Sequence, residues 1–233
     1  MGVIRFNDEE VFDTDSSEYE ILHNAATKIK GVSGAVVEIG TRRGGSAKII
    51  IDALKSQGDT NRSMFCIDPY GNIDYPETNK AISTFNPNVV LQGDPQSTEI
   101  VNMIKHDYDN SMRNRIIPSL YYYAYQAGLN FTFFCLEDTE FFARYADGVP
   151  VYNEVKKIEN EYALVFVDGP HTNEAIDREL EFFVPKMSVG GVLVFDDIWM
   201  ADHDKVVEEK WLFPNGWEIL EKGRIKASYI KVA

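Results

Sequence analysis

The chain has 233 residues, of which 44% are hydrophobic, and this is enough for one large domain with a substantial core. Its formal net charge is −14. That charge argues against a nucleic-acid partner, because such proteins need a basic surface to displace counterions from phosphates. No apolar run approaches the roughly 20 residues of a membrane-spanning helix, and the acidic N-terminal residues do not resemble a secretory signal. We therefore expect a cytoplasmic protein that binds neither membranes nor nucleic acid.

The predicted elements begin with an amphipathic helix over residues 17–30, where Ser17 and Glu20 form a candidate capping box. This helix belongs to an N-terminal arm, residues 1–33. Five apolar runs follow as predicted strands, at 35–40, 63–69, 131–136, 163–168 and 191–197. They are apolar throughout rather than alternating, which is typical of a parallel sheet with helices covering both faces.

Helical segments separate these strands, and this alternation predicts a doubly wound, Rossmann-like α/β domain over residues 1–233. Two more strands around Lys222 and Gly223 predict a C-terminal hairpin, which leaves one strand antiparallel. The connection over residues 69–130 is far longer than one helix requires, and such insertions are usually lids or specificity elements. The tyrosines of its aromatic run, SLYYYAYQAG, have two possible roles. They either pack in a helix or against a partner protein, or they contact the substrate.

A glycine-rich turn, VEIGTRRGGSA, joins the first predicted strand to the next helix. Glycines allow a ligand to approach the backbone, and a helix N-terminus offers free N–H groups. The spacing from Glu38 through Gly40 to Gly44, Gly45 and Ser46 is not the G-x-G-x-x-G of dinucleotide sites. A carboxylate before the first glycine disfavours a phosphate. S-adenosylmethionine, which carries an ammonium and a sulfonium, fits this turn better than NAD or ATP.

An acid also follows the second strand, where Asp68 precedes a proline. An acid at this place typically accepts hydrogen bonds from ribose hydroxyls, although Asp before Pro is also a common turn former. Together with the glycine turn, it favours a nucleoside-containing ligand.

Three aspartates follow two neighbouring predicted strands: Asp168 after the fourth, and Asp196 and Asp197 after the fifth. Parallel neighbours lie about 4.8 Å apart, and a right-handed crossover returns the chain to the same edge. The three carboxylates should therefore converge, where they would repel each other unless a cation compensates them. Oxygen ligands favour Mg²⁺, with Mn²⁺ or Ca²⁺ next. The alternative role for such acids is to cap the following helices.

A histidine, His171, lies three residues after Asp168 on the same loop. We predict it as the general base for a substrate hydroxyl, acting beside Asp168. The alternative is that it caps the helix that starts near Thr172. His203, after the second pair of acids, is a reserve candidate.

With these motifs the chain resembles class I S-adenosylmethionine-dependent methyltransferases. More narrowly, it resembles the metal-dependent small-molecule O-methyltransferases, the group of catechol and of macrolide and aminocoumarin sugar O-methyltransferases. The matching stretches are VVEIGTRRGGSA, FCIDPYG, LVFVDGPHTNEAIDRELEFFVPKMSVGGVLVFDDI and the terminal hairpin. The resemblance implies a seven-stranded sheet whose final strand is antiparallel.

The resemblance also implies residue roles. The cofactor residues that it implies are Glu38, Gly40, Arg42, Gly44 and Ser46 at the methionine end, Asp68 at the ribose, and Asp138 and Thr139 at the adenine. The metal ligands that it implies are Asp168, Asp196 and Asp197. His171 occupies a position where related enzymes have a lysine, and Pro170 one where sugar-modifying relatives often have an acid.

We therefore predict a Mg²⁺-assisted O-methyltransferase that acts on a hydroxyl of a small molecule, such as a sugar, a catechol-like compound or a natural product. One alternative is metal-independent N- or carboxyl-methylation. Another is a non-catalytic S-adenosylmethionine-binding protein of the same fold. The sequence is compatible with a homo-oligomer.

Overall fold

The computed structural model describes residues 12–14, 16–70, 81–82, 90–91 and 110–233. Within these residues the strands, in chain order, are β1 (Ala35–Ile39), β2 (Ser63–Ile67), β3 (Ala81–Ile82), β4 (Val90–Leu91), β5 (Asn130–Phe134), β6 (Val149–Tyr152), β7 (Lys156–Glu159), β8 (Tyr162–Val167), β9 (Met187–Phe195), β10 (Trp217–Lys222) and β11 (Ala227–Lys231).

Seven of these strands form the central sheet, in the order β5-β2-β1-β8-β9-β11-β10. The pairs from β5 to β9 are parallel, whereas β11 runs antiparallel to both β9 and β10. The predicted fold class is therefore confirmed. From β1 the chain builds outward first through β2 and β5, then in the other direction through β8 and β9. The order reverses between β1 and β8, which is where open α/β sheets bind their ligands.

Helices cover both faces of the sheet, as predicted. The helices are α1 (Tyr19–Lys28), α2 (Gly45–Ser56), α3 (Asn110–Ala127), α4 (Asp138–Arg144) and α5 (Asn173–Phe183). Apolar residues of α1, α2 and α3 pack on one face, while α4, α5 and a helical stretch over residues 200–215 pack on the other. Across the described part of the chain, no helix has the length and apolar character needed to cross a membrane.

The first helix begins differently from the prediction. It starts at Tyr19, and the preceding Glu18 adopts a left-handed conformation with φ 58°. The Glu18 carboxylate accepts hydrogen bonds from the backbone N–H groups of Arg224, Ile225 and Lys226, at 3.0, 2.8 and 2.9 Å. The predicted capping box is therefore wrong, because a tertiary contact with the C-terminal hairpin fixes this end of the helix.

A second hairpin, β6–β7, lies between α4 and β8, where the sequence analysis placed only helix. The predicted 69–130 insertion falls mostly outside the described residues. Its described parts include the two-residue pair β3–β4 and the helix α3, which contains most of the aromatic run. The division into an arm, a core and an insertion stays a prediction.

Candidate active site

The loops that carry the predicted site residues meet at the carboxyl edge of the parallel strands. Backbone hydrogen bonds join each loop to its neighbour. These bonds are Gly40 N to Ile67 O (3.0 Å), Asp168 N to Ile39 O (3.0 Å), Asp196 N to Val167 O (3.0 Å) and Asp68 N to Phe134 O (3.1 Å). The parallel register therefore places the glycine loop, Asp68 and the three later aspartates along one edge.

Gly40 brings the glycine loop against the loop that carries Asp168. Its φ of 83° lies in the left-handed region that glycine adopts readily. A Cβ at this position would overlap the carbonyl oxygen of Asp168. Glycine is required here by the contact between two segments of the protein, whereas the sequence analysis assigned it to contact with a ligand. The two loops thus line a single site.

Glu38 presents a buried carboxyl group at the end of β1. Burial raises its pKa to about 7, although hydrogen bonds from the Ser46 and Cys66 side chains oppose that rise. Cys66 Sγ donates to Oε2 at 3.2 Å, and Oε1 has no hydrogen-bond partner among the described residues. An unsatisfied buried acceptor is costly. A cationic group beside the glycine loop would satisfy it, so Glu38 fits a positively charged cofactor.

Asp68 fixes the conformation of the glycine loop. Its Oδ2 accepts the backbone N–H of Arg42, and its Oδ1 that of Tyr70, both at 2.9 Å. Arg42 has a φ of 40°, and its carbonyl oxygen accepts the Tyr70 hydroxyl at 2.6 Å. Burial raises the pKa of Asp68 to about 6, and the Arg42 N–H lowers it in part. The backbone N–H of Thr41 also bonds to this carboxyl, so of its roughly four acceptor sites one remains for a ribose hydroxyl.

Asp138 and Thr139 begin the helix α4, on the loop that follows β5. Asp138 Oδ1 accepts the backbone N–H of Thr139 at 2.7 Å. Its Oδ2 is buried without a hydrogen-bond partner in the described part of the chain, and burial raises the pKa of this carboxyl. An exocyclic amine such as that of adenine would supply the missing donor. The residues of the site therefore fit both ends of S-adenosylmethionine.

The N-terminal residues 12–14 cover the second half of the glycine loop. Asp13 forms an isolated bridge with Gly44 and a salt bridge with Arg43, with 3.1 Å between Oδ2 and Nη1. A Cβ on Gly44 would lie 2.9 Å from the Phe12 ring, and one on Gly45 would overlap the Asp13 carbonyl oxygen. The sequence analysis did not anticipate that these glycines accommodate the chain's own N-terminal segment.

The predicted base lies between two of the predicted metal ligands. His171 Nε2 is 3.5 Å from Asp197 Oδ2 and 3.8 Å from Asp168 Oδ1. These separations exceed an ordinary hydrogen bond, so the interaction is mainly electrostatic. Asp197 has a φ of 46° and accepts the indole N–H of Trp199 at 3.2 Å. The strained backbone and the indole contact together hold the Asp197 carboxylate toward the imidazole.

Lys226 is a site residue that the sequence analysis missed. Its side chain is fully buried, and Nζ donates to Asp196 Oδ1 at 2.8 Å and to Ser16 Oγ at 2.9 Å. Burial raises the pKa of Asp196, while Lys226 lowers it. The signal in the sequence was a lysine directly before the apolar strand β11.

This arrangement does not fit the predicted magnesium ion. Among the described residues, no three His, Cys, Asp or Glu side chains are grouped so that they could hold a metal. A divalent cation about 4 Å from the ammonium of Lys226 would be repelled by about 8 kcal/mol at an effective dielectric constant of about 20. The compensating charge that the sequence analysis sought in a metal is supplied to Asp196 by a lysine.

The structure supports neither a helix-capping role for His171 nor His203 as the base in its place. The cap of α5 is Thr172, whose side chain accepts the backbone N–H of Ala175 at 3.1 Å, so a capping role for His171 is wrong. His203 is fully buried, and burial lowers its pKa to about 4, which leaves a weakly basic neutral ring.

The sequence matches a family model described as a methyltransferase domain over residues 37–198, more than half of the chain. The chain belongs to this methyltransferase family. It is a class I S-adenosylmethionine-dependent methyltransferase, as the glycine loop and the sheet order indicated. A comparison with curated proteins finds no significant match.

Several solved methyltransferases share this fold. The O-methyltransferase NovP is 19% identical with a TM-score of 0.58, and the alignment covers 92% of this chain and 79% of NovP. The O-methyltransferase TomG from Streptomyces achromogenes is 11% identical with a TM-score of 0.52, covering 95% and 82%. A precorrin-6y C5,15-methyltransferase from Geobacter metallireducens GS-15 is 12% identical with a TM-score of 0.51, covering 97% and 96%. Such identities establish the fold alone, so the acceptor must be argued from the site.

Proposed function

We propose that this methyltransferase transfers a methyl group to a hydroxyl oxygen of a small molecule, with His171 as the general base. The observation that carries the proposal is the position of the imidazole. It lies between Asp168 and Asp197, on the loop that Gly40 joins to the glycine loop. A base and a cofactor loop at one edge of the sheet are the two components that methylation of a hydroxyl requires.

S-adenosylmethionine, when bound, supplies an electrophilic methyl group on a positively charged sulfur. In our proposal Glu38, the glycine loop and Ser46 hold its methionine end, Asp68 its ribose, and Asp138 and Thr139 its adenine. Glu38 and Asp138 each have a buried oxygen that finds no donor in the described part of the chain, and the cofactor carries a suitable donor for each, which supports this assignment.

His171 would act on the proton of the acceptor hydroxyl. A neutral hydroxyl is a poor nucleophile, and a base within hydrogen-bond reach removes its proton as the bond to carbon forms. The carboxylates of Asp168 and Asp197 face Nε2 and favour the proton on that nitrogen. Nδ1 is then the nitrogen that accepts the proton of the acceptor hydroxyl.

A small acceptor with a ring is the substrate class that we favour. Trp199 is 47% exposed, and its indole donates to Asp197, so an aromatic face lies next to the acids and His171. Such a face can stack on the ring of a sugar or a phenol. NovP and TomG are themselves described as O-methyltransferases, which supports oxygen as the methylated atom. The magnesium ion predicted from the sequence is not part of this proposal, because Lys226 compensates Asp196.

The test is an assay of S-adenosylhomocysteine formation with a panel of phenols, catechols and sugar derivatives. His171→Gln should lower kcat by at least about 100-fold and leave the Kd for S-adenosylmethionine nearly unchanged. The exposed His23 on α1 provides a matched control, and His23→Gln should retain full activity. Full activity of His171→Gln would contradict the assignment of the base.

The same assay separates the alternative functions. Methylation of amines or carboxylates but of no hydroxyl would favour an N- or carboxyl-methyltransferase. Tight S-adenosylmethionine binding without turnover on any acceptor would favour a non-catalytic binding protein. The cytoplasmic location and the oligomeric state stay predictions.

A further inference from the structure

A buried lysine with a carboxylate partner is an unusual component for the acidic part of this site. The side chain of Lys226 has no exposed surface, and its ammonium lies 4.2 Å from the centroid of the Tyr19 ring and 5.9 Å from that of Phe166. Removing an ammonium from water is costly unless close partners compensate it. Here the partners are Asp196 and Ser16, which take two of its three N–H donors.

The position of the ammonium is fixed by contacts that arise far apart in the sequence. Glu18 accepts the backbone N–H of Lys226, and Ser16 accepts from its side chain and donates to Asp196 Oδ1 at 3.2 Å. On the other side, Lys226 directly precedes β11, which pairs with β9, the strand that leads into Asp196. The N-terminal segment and the hairpin thus hold the lysine at the acids.

Asp196 Oδ1 is fully engaged by these contacts. It accepts from Lys226 Nζ at 2.8 Å, from the backbone N–H of Asp197 at 2.9 Å and from Ser16 Oγ. The N–H contact fixes the backbone of Asp197, whose carboxylate faces His171. Lys226 therefore acts on the base indirectly: it orders Asp196, Asp196 orders Asp197, and Asp197 orients the imidazole.

We infer that Lys226 takes the place of the divalent cation that the resemblance assigns to these acids, and that it is a positioning residue for a metal-independent methyl transfer. This inference rests on the proposed function. It differs from the resemblance in one respect: the positive charge beside Asp196 comes from the ammonium of Lys226.

The inference is tested by metal binding, which does not require a known acceptor. Mn²⁺ would be titrated into the full-length wild-type protein and into Lys226→Met, with free Mn²⁺ followed by electron paramagnetic resonance. We expect the wild type to bind no Mn²⁺ at millimolar concentration. Lys226→Met should gain a site whose Kd is at least about tenfold below the highest Mn²⁺ concentration at which the wild type shows no binding. The double variant Lys226→Met/Asp196→Asn should lose that site again.

The matched control is Lys231→Met, at the far end of β11, because the Lys231 ammonium donates to the Met187 carbonyl and lies outside the site. It should gain no Mn²⁺ site. If Lys226→Met does not fold, the comparison of the wild type with Asp196→Asn decides. A wild-type Mn²⁺ site that Asp196→Asn removes would overturn the inference, and so would a folded Lys226→Met that binds no Mn²⁺.

A separate measurement distinguishes a failure of the proposed function from a failure of the role inferred for Lys226. Calorimetric titration of the wild type with S-adenosylmethionine reports on the cofactor site alone. If the cofactor does not bind, the proposed function fails, whatever the Mn²⁺ result. If it binds and the wild type also holds Mn²⁺ at Asp196, only the role of Lys226 fails.

Discussion

The buried carboxyl of Glu38 makes cofactor binding depend on pH. Burial raises its pKa to about 7 in the unliganded protein, so the group is largely protonated at about pH 6 and largely ionised at about pH 8. A cationic cofactor at Oε1 favours the ionised form and therefore displaces the proton. The affinity for S-adenosylmethionine should then fall about tenfold between about pH 8 and about pH 6.

The same group links pH to stability. Its pKa of about 7 in the folded protein exceeds the ordinary value of 4.5, so the folded state binds the proton more tightly than the unfolded chain. The free energy of unfolding of the unliganded protein therefore decreases as the pH rises from about 4.5 to about 7. The decrease amounts to about 3 kcal/mol at most.

Calorimetric titration in two buffers of different ionisation enthalpy measures both the affinity and the protons released. The wild type should release close to one proton on binding at about pH 6 and almost none at about pH 8. Glu38→Gln should bind more weakly and lose the part of this dependence that comes from Glu38. It retains Asp68, whose pKa of about 6 could contribute in the same range, so the difference between the two proteins isolates Glu38. An affinity of the wild type that is independent of pH, without proton release, would refute this reasoning.

Three further substitutions test the contacts that build the site. Gly40→Ala should abolish S-adenosylmethionine binding or lower the free energy of unfolding by about 2 kcal/mol or more, because its Cβ would overlap the Asp168 carbonyl. Calorimetry measures the first effect and urea denaturation the second. A variant with unchanged binding and stability would contradict the close packing of the two loops. Glu18→Ala should cost about 2 kcal/mol near neutral pH through loss of its hydrogen bonds to the hairpin. Backbone N–H groups of the hairpin, that of Lys226 first, lower the pKa of Glu18. Its stabilisation is therefore present above the ordinary pKa and lost as the pH falls, so the deficit measured by denaturation should shrink in acid, and a constant deficit would argue against it. Thr172→Ala should cost about 1 kcal/mol through loss of the helix cap and leave the Kd for S-adenosylmethionine unchanged.

The sheet and the edge that carries the site could be predicted from the sequence because they follow from local patterns. Apolar runs without alternation indicated parallel strands, and an acid after a strand falls at the same edge as its neighbours. This pattern alone predicted that Asp168 and Asp196 follow neighbouring parallel strands. The pairing of Val167 with Phe195 confirms that β8 and β9 are parallel neighbours.

The contacts that complete the site are tertiary, and no local pattern contains them. Lys226 is 30 residues from Asp196, and Ser16 is 180 residues away. At the start of the first helix the sequence suggested a capping box of Ser17 and Glu20, whereas the structure uses the neighbouring Glu18, whose carboxylate binds the hairpin. The sequence analysis therefore predicted a metal at these acids, because no local pattern connects Asp196 with the lysine that precedes β11.

Metal-independent methylation of a hydroxyl is tested most directly by methyl transfer to a hydroxylated acceptor in the presence of EDTA, with the product examined by NMR and mass spectrometry. We predict undiminished turnover with EDTA and a methyl group bound to oxygen, together with equimolar S-adenosylhomocysteine. Turnover that stops with EDTA and returns with Mg²⁺ would contradict the metal-independent mechanism, and a methyl group found on nitrogen or carbon would contradict O-methylation.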